Sequence, residues 1–197
     1  MHALFSDQGE KVVNDHIAFR TFNHERMNIE VLVRPFIERG YMAAGHYQFK
    51  NKHLHAMHFE LPGRANAPRV FISELLLNNF SPWLQEQIHQ SIDKVNTDIW
   101  KSDELIFSGN VFGVPSYNIY EKLRIESEYA AWLYIHGFRA NHFTVSVNSL
   151  NGFRGIEDVN KFLKDNGYLM NSKGNLFSGF IAGSADKIFE STDYYRN

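Results

Sequence analysis

The chain has 197 residues, of which 44% are hydrophobic and 15% aromatic, enough apolar side chains for a packed core. Its formal net charge of −2 gives no support for a nucleic-acid or membrane-surface partner, and the absence of cysteine excludes disulfides and thiolate sites. No apolar run approaches the ~20 residues of a membrane span, and the start has no signal-peptide pattern, so we expect a cytoplasmic protein.

The first eighty residues predict a strand, a helix and three more strands. Residues 15–22 alternate as a strand does, and apolar residues at helical spacing over 29–37 predict a helix that Pro35 should kink and Gly40 should end. The three further strands are expected over residues 41–49, 53–61 and 69–77. This β-α-β-β-β order defines module one, residues 13–80.

A helical middle section, residues 81–140, follows module one. One helix is predicted after Ser81-Pro82-Trp83, and a longer helix over residues 117–138. The first pattern then restarts in module two, residues 141–190, with a strand at 141–148. Its helix is marked by spaced apolar residues: Ile156, Val159 and Leu163.

The two modules share their landmarks. Asp15-His16 aligns with Asn141-His142 at an offset of 126, and Gly40-Tyr41 with Gly167-Tyr168 at an offset of 127. We interpret this as an internal duplication within a single domain, residues 1–197. The predicted fold is α+β, with two β-α-β-β-β-type modules, the second incomplete, forming a curved mixed sheet around a metal cleft.

The opening strand of module one carries unusual side chains on one face, because alternation places His16, Ala18, Arg20 and Phe22 together. A lone strand histidine is more often structural than a ligand, but the duplication lets His16 and His142 converge on one metal ion. Two imidazoles and a carboxylate form the facial triad of non-haem Fe(II) oxygenases. Arg20, on the same face, can hold a substrate carboxylate by two hydrogen bonds.

Other histidines and carboxylates are weaker candidates. His53 and His55 would share one strand face while His58 and Glu60 share the other, so this tract cannot converge on one ion and is interpreted as a solvated strand face. Glu74 lies in an otherwise apolar strand and needs a partner or a metal. A buried ion pair and a role in the cleft both stay open for it.

Four stretches, in order, resemble the 2-oxoadipate dioxygenase/decarboxylase family of the vicinal-oxygen-chelate superfold: NDHIAFRTF, HAMHFELPG…PRVFISELLL, HGFRANHFTVSVN and GFIAGSADKIFESTD. The resemblance implies an Fe(II) enzyme that uses O₂ to convert 2-oxoadipate to 2-hydroxyglutarate with loss of CO₂. It also implies that His16 and His142 bind the metal, with another divalent ion as an alternative, and that His16 and Arg20 contact the 2-oxo acid.

The chain departs from the family at the third metal ligand, a glutamate on a late strand of module two. Glu190 is a poor substitute and Glu74 belongs to module one, so no third ligand is assigned, nor any catalytic residue beyond the metal site. Two alternatives to the dioxygenase stay open. One is a degenerate or non-catalytic ligand-binding module, and the other is a glyoxalase-like metal isomerase or hydrolase.

Overall fold

The computed structural model describes residues 2–64 and 66–168. Predictions for the rest of module two, including Glu190 and the stretch GFIAGSADKIFESTD, fall outside the described residues. No helix in the described part of the chain is long and apolar enough to cross a membrane.

The chain divides into two compact units. One unit is residues 16–143, and the other combines residues 1–15 with residues 144–197. The predicted organisation as a single domain stays a prediction.

Five strands form one sheet in the order β2-β3-β4-β1-β5 within the described residues. They are β1 (Asn14–Phe22), β2 (Met42–Phe49), β3 (Leu54–Glu60), β4 (Arg69–Leu75) and β5 (Ala140–Val145). β1 runs parallel to β4, whereas β4 with β3, and β3 with β2, are antiparallel. The α+β class and the mixed sheet are therefore confirmed, with the first four strands in the predicted β-α-β-β-β order.

Seven α-helices connect or cover these strands in the described residues. They are α1 (His2–Ser6), α2 (Ile29–Leu32), α3 (Arg34–Ile37), α4 (Pro82–Asp93), α5 (Tyr117–Glu126), α6 (Glu128–His136) and α7 (Ile156–Asp165). The sequence patterns did not predict α1.

The helix expected to kink at Pro35 is interrupted there. The Asn28 side chain caps α2 by accepting the Val31 N–H at 3.0 Å. Pro35 then occupies the first turn of α3, where its missing N–H has no intrahelical partner to lose. The sequence thus places the break within one turn of its position in the structure.

The single helix predicted over residues 117–138 is wrong, because the chain forms α5 and α6 with a break at Ser127. Ser127 is extended, with φ −151°, and its Oγ accepts the Ala130 N–H at 3.2 Å as the N-cap of α6. Apolar spacing continues through the break, so periodicity alone does not reveal it. Gly137, at φ +61°, ends α6, and a Cβ there would collide with the Gly109 carbonyl.

The core of the 16–143 unit lies between the sheet and its helices. Strand residues such as Phe22 and Ile72 pack with helix residues such as Leu32, Ile88 and Leu133, all at most 1% exposed. Truncating one of the larger of these side chains to alanine typically costs about 3–5 kcal/mol of unfolding free energy. This packing makes the sheet a rigid support for the side chains on β1.

The second unit has its own small apolar cluster. Phe5 of α1 packs its ring against Phe153 and Phe162, with centroids 5.6 and 5.7 Å away. The buried Glu10 carboxylate accepts the backbone N–H groups of Asn151 and Gly152 at 2.8 and 2.5 Å. These contacts tie the first residues of the chain to the segment around α7.

Candidate metal centre

The sheet brings the two predicted metal ligands together, since β1 and β5 are neighbours. His16 Nε2 lies 3.2 Å from His142 Nε2, and the two ring centroids are 5.3 Å apart at 84°. Two nitrogens bound about 2.1 Å from one metal at adjacent positions would lie about 3.0 Å apart. The pair therefore fits a shared ion, although the ligand role itself stays a prediction.

The electrostatic surroundings keep His142 available to a metal. Burial, and after it the proximity of His16 and Arg20, lowers the pKa of His142 to about 3. A metal competes with protons for an imidazole, so a histidine that is neutral at physiological pH is the form that binds.

Asn141 contacts the other nitrogen of the His142 ring, Nδ1. Its Nδ2 lies 3.0 Å from His142 Nδ1, and because an amide NH₂ only donates, Nδ1 accepts and Nε2 carries the proton towards His16. Asn141 Oδ1 is buried and has no hydrogen-bond partner among the described residues. Sequence alignment of the modules paired Asn141 with Asp15 but did not indicate this contact.

A stack of rings extends from His16 across the same face of the sheet, which we call the His16 face (His16, Arg20, Phe71, His58 and Tyr47). Phe71 meets the His16 ring edge-on at 5.2 Å and lies parallel to the His58 ring at 5.0 Å. Tyr47 Oη is 2.9 Å from His58 Nδ1. A Cβ at neighbouring Gly45 would lie 2.7 Å from the His58 ring, so glycine leaves the space that this ring fills.

His58 therefore corrects one prediction, because it is not on a solvated strand face. Its side chain is 6% exposed, stacked on Phe71, and its Nε2 lies 3.5 Å from Glu60 Oε1. The sequence showed correctly that His58 and His55 occupy opposite faces. It could not show that Phe71 of the neighbouring strand covers His58, because that contact depends on strand register.

Glu74 forms a structural pair with His55 and has no role beside His16. Its Oε1 is 2.9 Å from His55 Nδ1, and its Oε2 accepts the Ile29 N–H at 3.1 Å at the start of α2. Alternation along β4 places this carboxylate on the opposite face from Phe71. His53 lies outside β3, at a left-handed position with φ +53°.

Arg20 lies on the His16 face, as predicted, and points towards α6. Its guanidinium carbon is 5.0 Å from the Tyr129 ring centroid and 4.9 Å from that of Trp132. Its role in binding substrate stays a prediction. Sequence reasoning missed this aromatic pair, since helical spacing shows that residues 129 and 132 share a face but not which strand they meet.

Within residues 2–64 and 66–168, no group of three or more His, Asp or Glu side chains is arranged to hold a metal ion. The described part of the centre is thus a pair of histidines.

Comparison with known proteins identifies the group to which this arrangement belongs. The family model for 2-oxoadipate dioxygenase/decarboxylase matches residues 3–176. The chain is 35% identical to the rice 2-oxoadipate dioxygenase/decarboxylase, a chloroplastic/amyloplastic protein, over 95% of this chain and 53% of that protein. It is 31% identical to the chloroplastic Arabidopsis thaliana protein of the same name, over 85% of this chain and 48% of that protein.

Comparison with solved structures agrees with this family match. Rice hydroxyglutarate synthase in complex with 2-oxoadipate matches with a TM-score of 0.81 and 34% identity, over 88% of this chain and 59% of that one. A Shewanella frigidimarina protein described as a hydrolase matches with a TM-score of 0.80 and 48% identity, over 85% and 65% of the two chains. A glyoxalase-superfamily protein from Ralstonia eutropha, 20% identical with a TM-score of 0.68 over 85% and 60%, shares the fold. The chain spans about half the length of the curated relatives it matches.

Proposed function

This chain belongs to the 2-oxoadipate dioxygenase/decarboxylase family, and we propose that it acts as a metal-dependent dioxygenase and decarboxylase on a small 2-oxo dicarboxylic acid. The observation that carries the proposal is the 3.2 Å approach of His16 Nε2 to His142 Nε2, with Arg20 on the same strand face as His16. The proposed substrate is 2-oxoadipate, which the homologous rice enzyme binds.

The proposed reaction consumes one O₂ and converts 2-oxoadipate to 2-hydroxyglutarate and CO₂. Fe(II) would be held by His16 and His142, and when bound it would supply the coordination chemistry that activates the 2-oxo acid and O₂. Iron rather than another divalent metal, O₂ as co-substrate, and a cytoplasmic location are parts of this proposal.

The chain's own residues would bind and orient the substrate. The planar Arg20 guanidinium can donate two parallel hydrogen bonds to one carboxylate, which fixes both the position and the rotation of that group. Phe71 is 3% exposed and its apolar ring lies against His16, so it would limit water at the reacting end of the substrate. Arg20 and His16 would thus hold the two ends of one small dicarboxylic acid.

A second candidate function is a ligand-binding module without catalysis. The described residues hold two histidines but no third protein ligand beside them, which favours weak metal binding. This candidate and the dioxygenase differ in metal content and in oxygen consumption.

The discriminating experiment is anaerobic reconstitution of the chain with Fe(II), followed by metal analysis and by O₂ uptake with 2-oxoadipate. We expect stoichiometric iron and O₂ consumption that depends on 2-oxoadipate, with 2-hydroxyglutarate as product. Iron binding without O₂ uptake would favour the ligand-binding module, and absence of metal binding would contradict both the metal centre and the dioxygenase.

A further inference from the structure

We propose that Tyr129 and Trp132, on one face of α6, are positioning residues that hold the Arg20 guanidinium on the His16 face. Where it concerns substrate, the inference rests on the proposed function; where it concerns Arg20 itself, it rests on geometry alone. The Arg20 guanidinium carbon lies 5.0 and 4.9 Å from the two ring centroids, within the distance over which cation–π attraction operates.

Tyr129 is anchored at the place in the sheet where Arg20 emerges. Its hydroxyl donates to the Ser73 carbonyl at 2.6 Å and accepts the Thr21 N–H at 3.0 Å. Arg20 lies opposite Ser73 in the parallel pair of β1 and β4, so one hydroxyl bridges both strands beside it. Burial raises the pKa of Tyr129 to about 12, and the hydroxyl therefore keeps the proton that it donates.

Trp132 lies one helical turn further along α6 and contacts a second ring on the same helix. Its ring packs against the His136 ring, with centroids 4.8 Å apart. Burial, and after it the charges of Arg139 and Arg20, lowers the pKa of His136. The lowered pKa favours the neutral form of His136 at neutral pH, and this form adds no charge beside the guanidinium.

The physical consequence is that a flexible side chain becomes an oriented one. An arginine side chain loses rotamer entropy when it is fixed, and a site that fixes it beforehand does not lose that entropy when the ligand binds. The rings also attract the charged group without occupying its N–H donors, because cation–π attraction uses the ring face.

The test replaces Trp132 and follows Arg20 in two independent ways on the full chain. The Arg20 Nε–H signal in a ¹H–¹⁵N spectrum, assigned with Arg20→Lys, senses the ring current of Trp132 and needs no substrate. Titration with 2-oxoadipate after metal loading measures affinity. We expect Trp132→Leu to shift the Arg20 signal and to weaken 2-oxoadipate binding roughly two- to thirtyfold, with metal affinity unchanged.

Two further variants separate positioning from general destabilisation. Trp132→Phe keeps an aromatic face, so its Arg20 signal and affinity should fall between those of the parent and Trp132→Leu, and it serves alone if the leucine variant does not fold. Trp83→Leu makes the same change at another cation–π pair, where Lys122 Nζ lies 5.7 Å from the ring. It should leave both Arg20 readouts unchanged.

An Arg20 signal that does not move in Trp132→Leu or Trp132→Phe overturns the inference. A shifted signal with unchanged 2-oxoadipate affinity overturns the role in substrate positioning. If the parent chain itself does not bind 2-oxoadipate, the proposed function fails, while the signal still decides whether the Trp132 ring lies against the Arg20 guanidinium.

Discussion

His16 is the residue whose replacement tests the metal centre most directly. His16→Ala removes one of two imidazoles, and we expect tight metal binding to be lost, as measured by anaerobic titration with Fe(II). His55→Ala is the matched control, because His55 lies on the same sheet but pairs with Glu74 on the opposite face. Parent-like iron binding by His16→Ala would make the His16 face structural and would contradict the enzyme proposal.

Arg20 separates substrate binding from metal binding. Arg20→Lys keeps the charge but loses the planar fork, so metal should stay bound while 2-oxoadipate affinity falls by about 1.5–3 kcal/mol, roughly ten- to a hundredfold. Calorimetric titration of the metal-loaded variant provides the measurement. A purely structural Arg20 would instead lower the melting temperature and leave 2-oxoadipate affinity unchanged.

Asn141 is expected to orient His142 for the metal. When His142 binds a metal through Nε2, its proton must move to Nδ1, which then needs an acceptor. A half-turn of the Asn141 amide would bring Oδ1 to Nδ1 and give this buried oxygen a partner. Asn141→Leu should therefore weaken metal binding about ten- to a hundredfold.

The measurement for Asn141→Leu is metal titration together with the ¹⁵N shifts of His142. On metal loading of the parent chain, these shifts should report transfer of the proton to Nδ1. Metal affinity equal to that of the parent would show that Asn141 does not orient the ligand.

At the scale of elements, the break between α5 and α6 decides where the aromatic pair lies. Ser127→Ala removes the side-chain cap of α6 and should cost about 1 kcal/mol of unfolding free energy in urea. Ser116→Ala is the matched control, since Ser116 precedes α5 without a side-chain cap bond. Equal losses in the two variants would show that the Ser127 cap contributes nothing specific to α6.

At the scale of the whole molecule, the free energy of unfolding should fall on acidification. Burial, and after it the charges of His89 and Arg26, lowers the pKa of His24 below 6.5, so the unfolded chain takes up this proton more readily than the folded one. The stabilisation is present above about pH 6.5 and is lost as pH falls through the lowered folded-state pKa. His24 Nδ1 also accepts the Arg26 N–H at 3.2 Å, a bond that protonation breaks.

His24→Gln measures this contribution. Urea unfolding at pH 7.5 and 5.5 should show a smaller loss of stability in the variant than in the parent. The loss that stays in the variant includes the contributions of His136 and His142, whose pKa values are lowered in both proteins. An identical loss in both proteins would contradict the role of His24.

The strands and the histidine pair could be predicted from the sequence because their signals are local or periodic. Alternation placed β1 to within one residue of Asn14–Phe22, and it set His16 and Arg20 on one face of that strand. The repeated polar-His pair then indicated that His16 and His142 would meet, and their Nε2 atoms lie 3.2 Å apart.

Other features were decided by tertiary structure, because they depend on which elements pack together. Periodicity runs unbroken through Ser127, and only the packing of α5 and α6 shows where the helix ends. Glu74 acquired a partner through the register of β3 with β4, which places His55 opposite it. The rings of Tyr129 and Trp132 reach Arg20 across more than one hundred residues of sequence, a contact that no local pattern encodes.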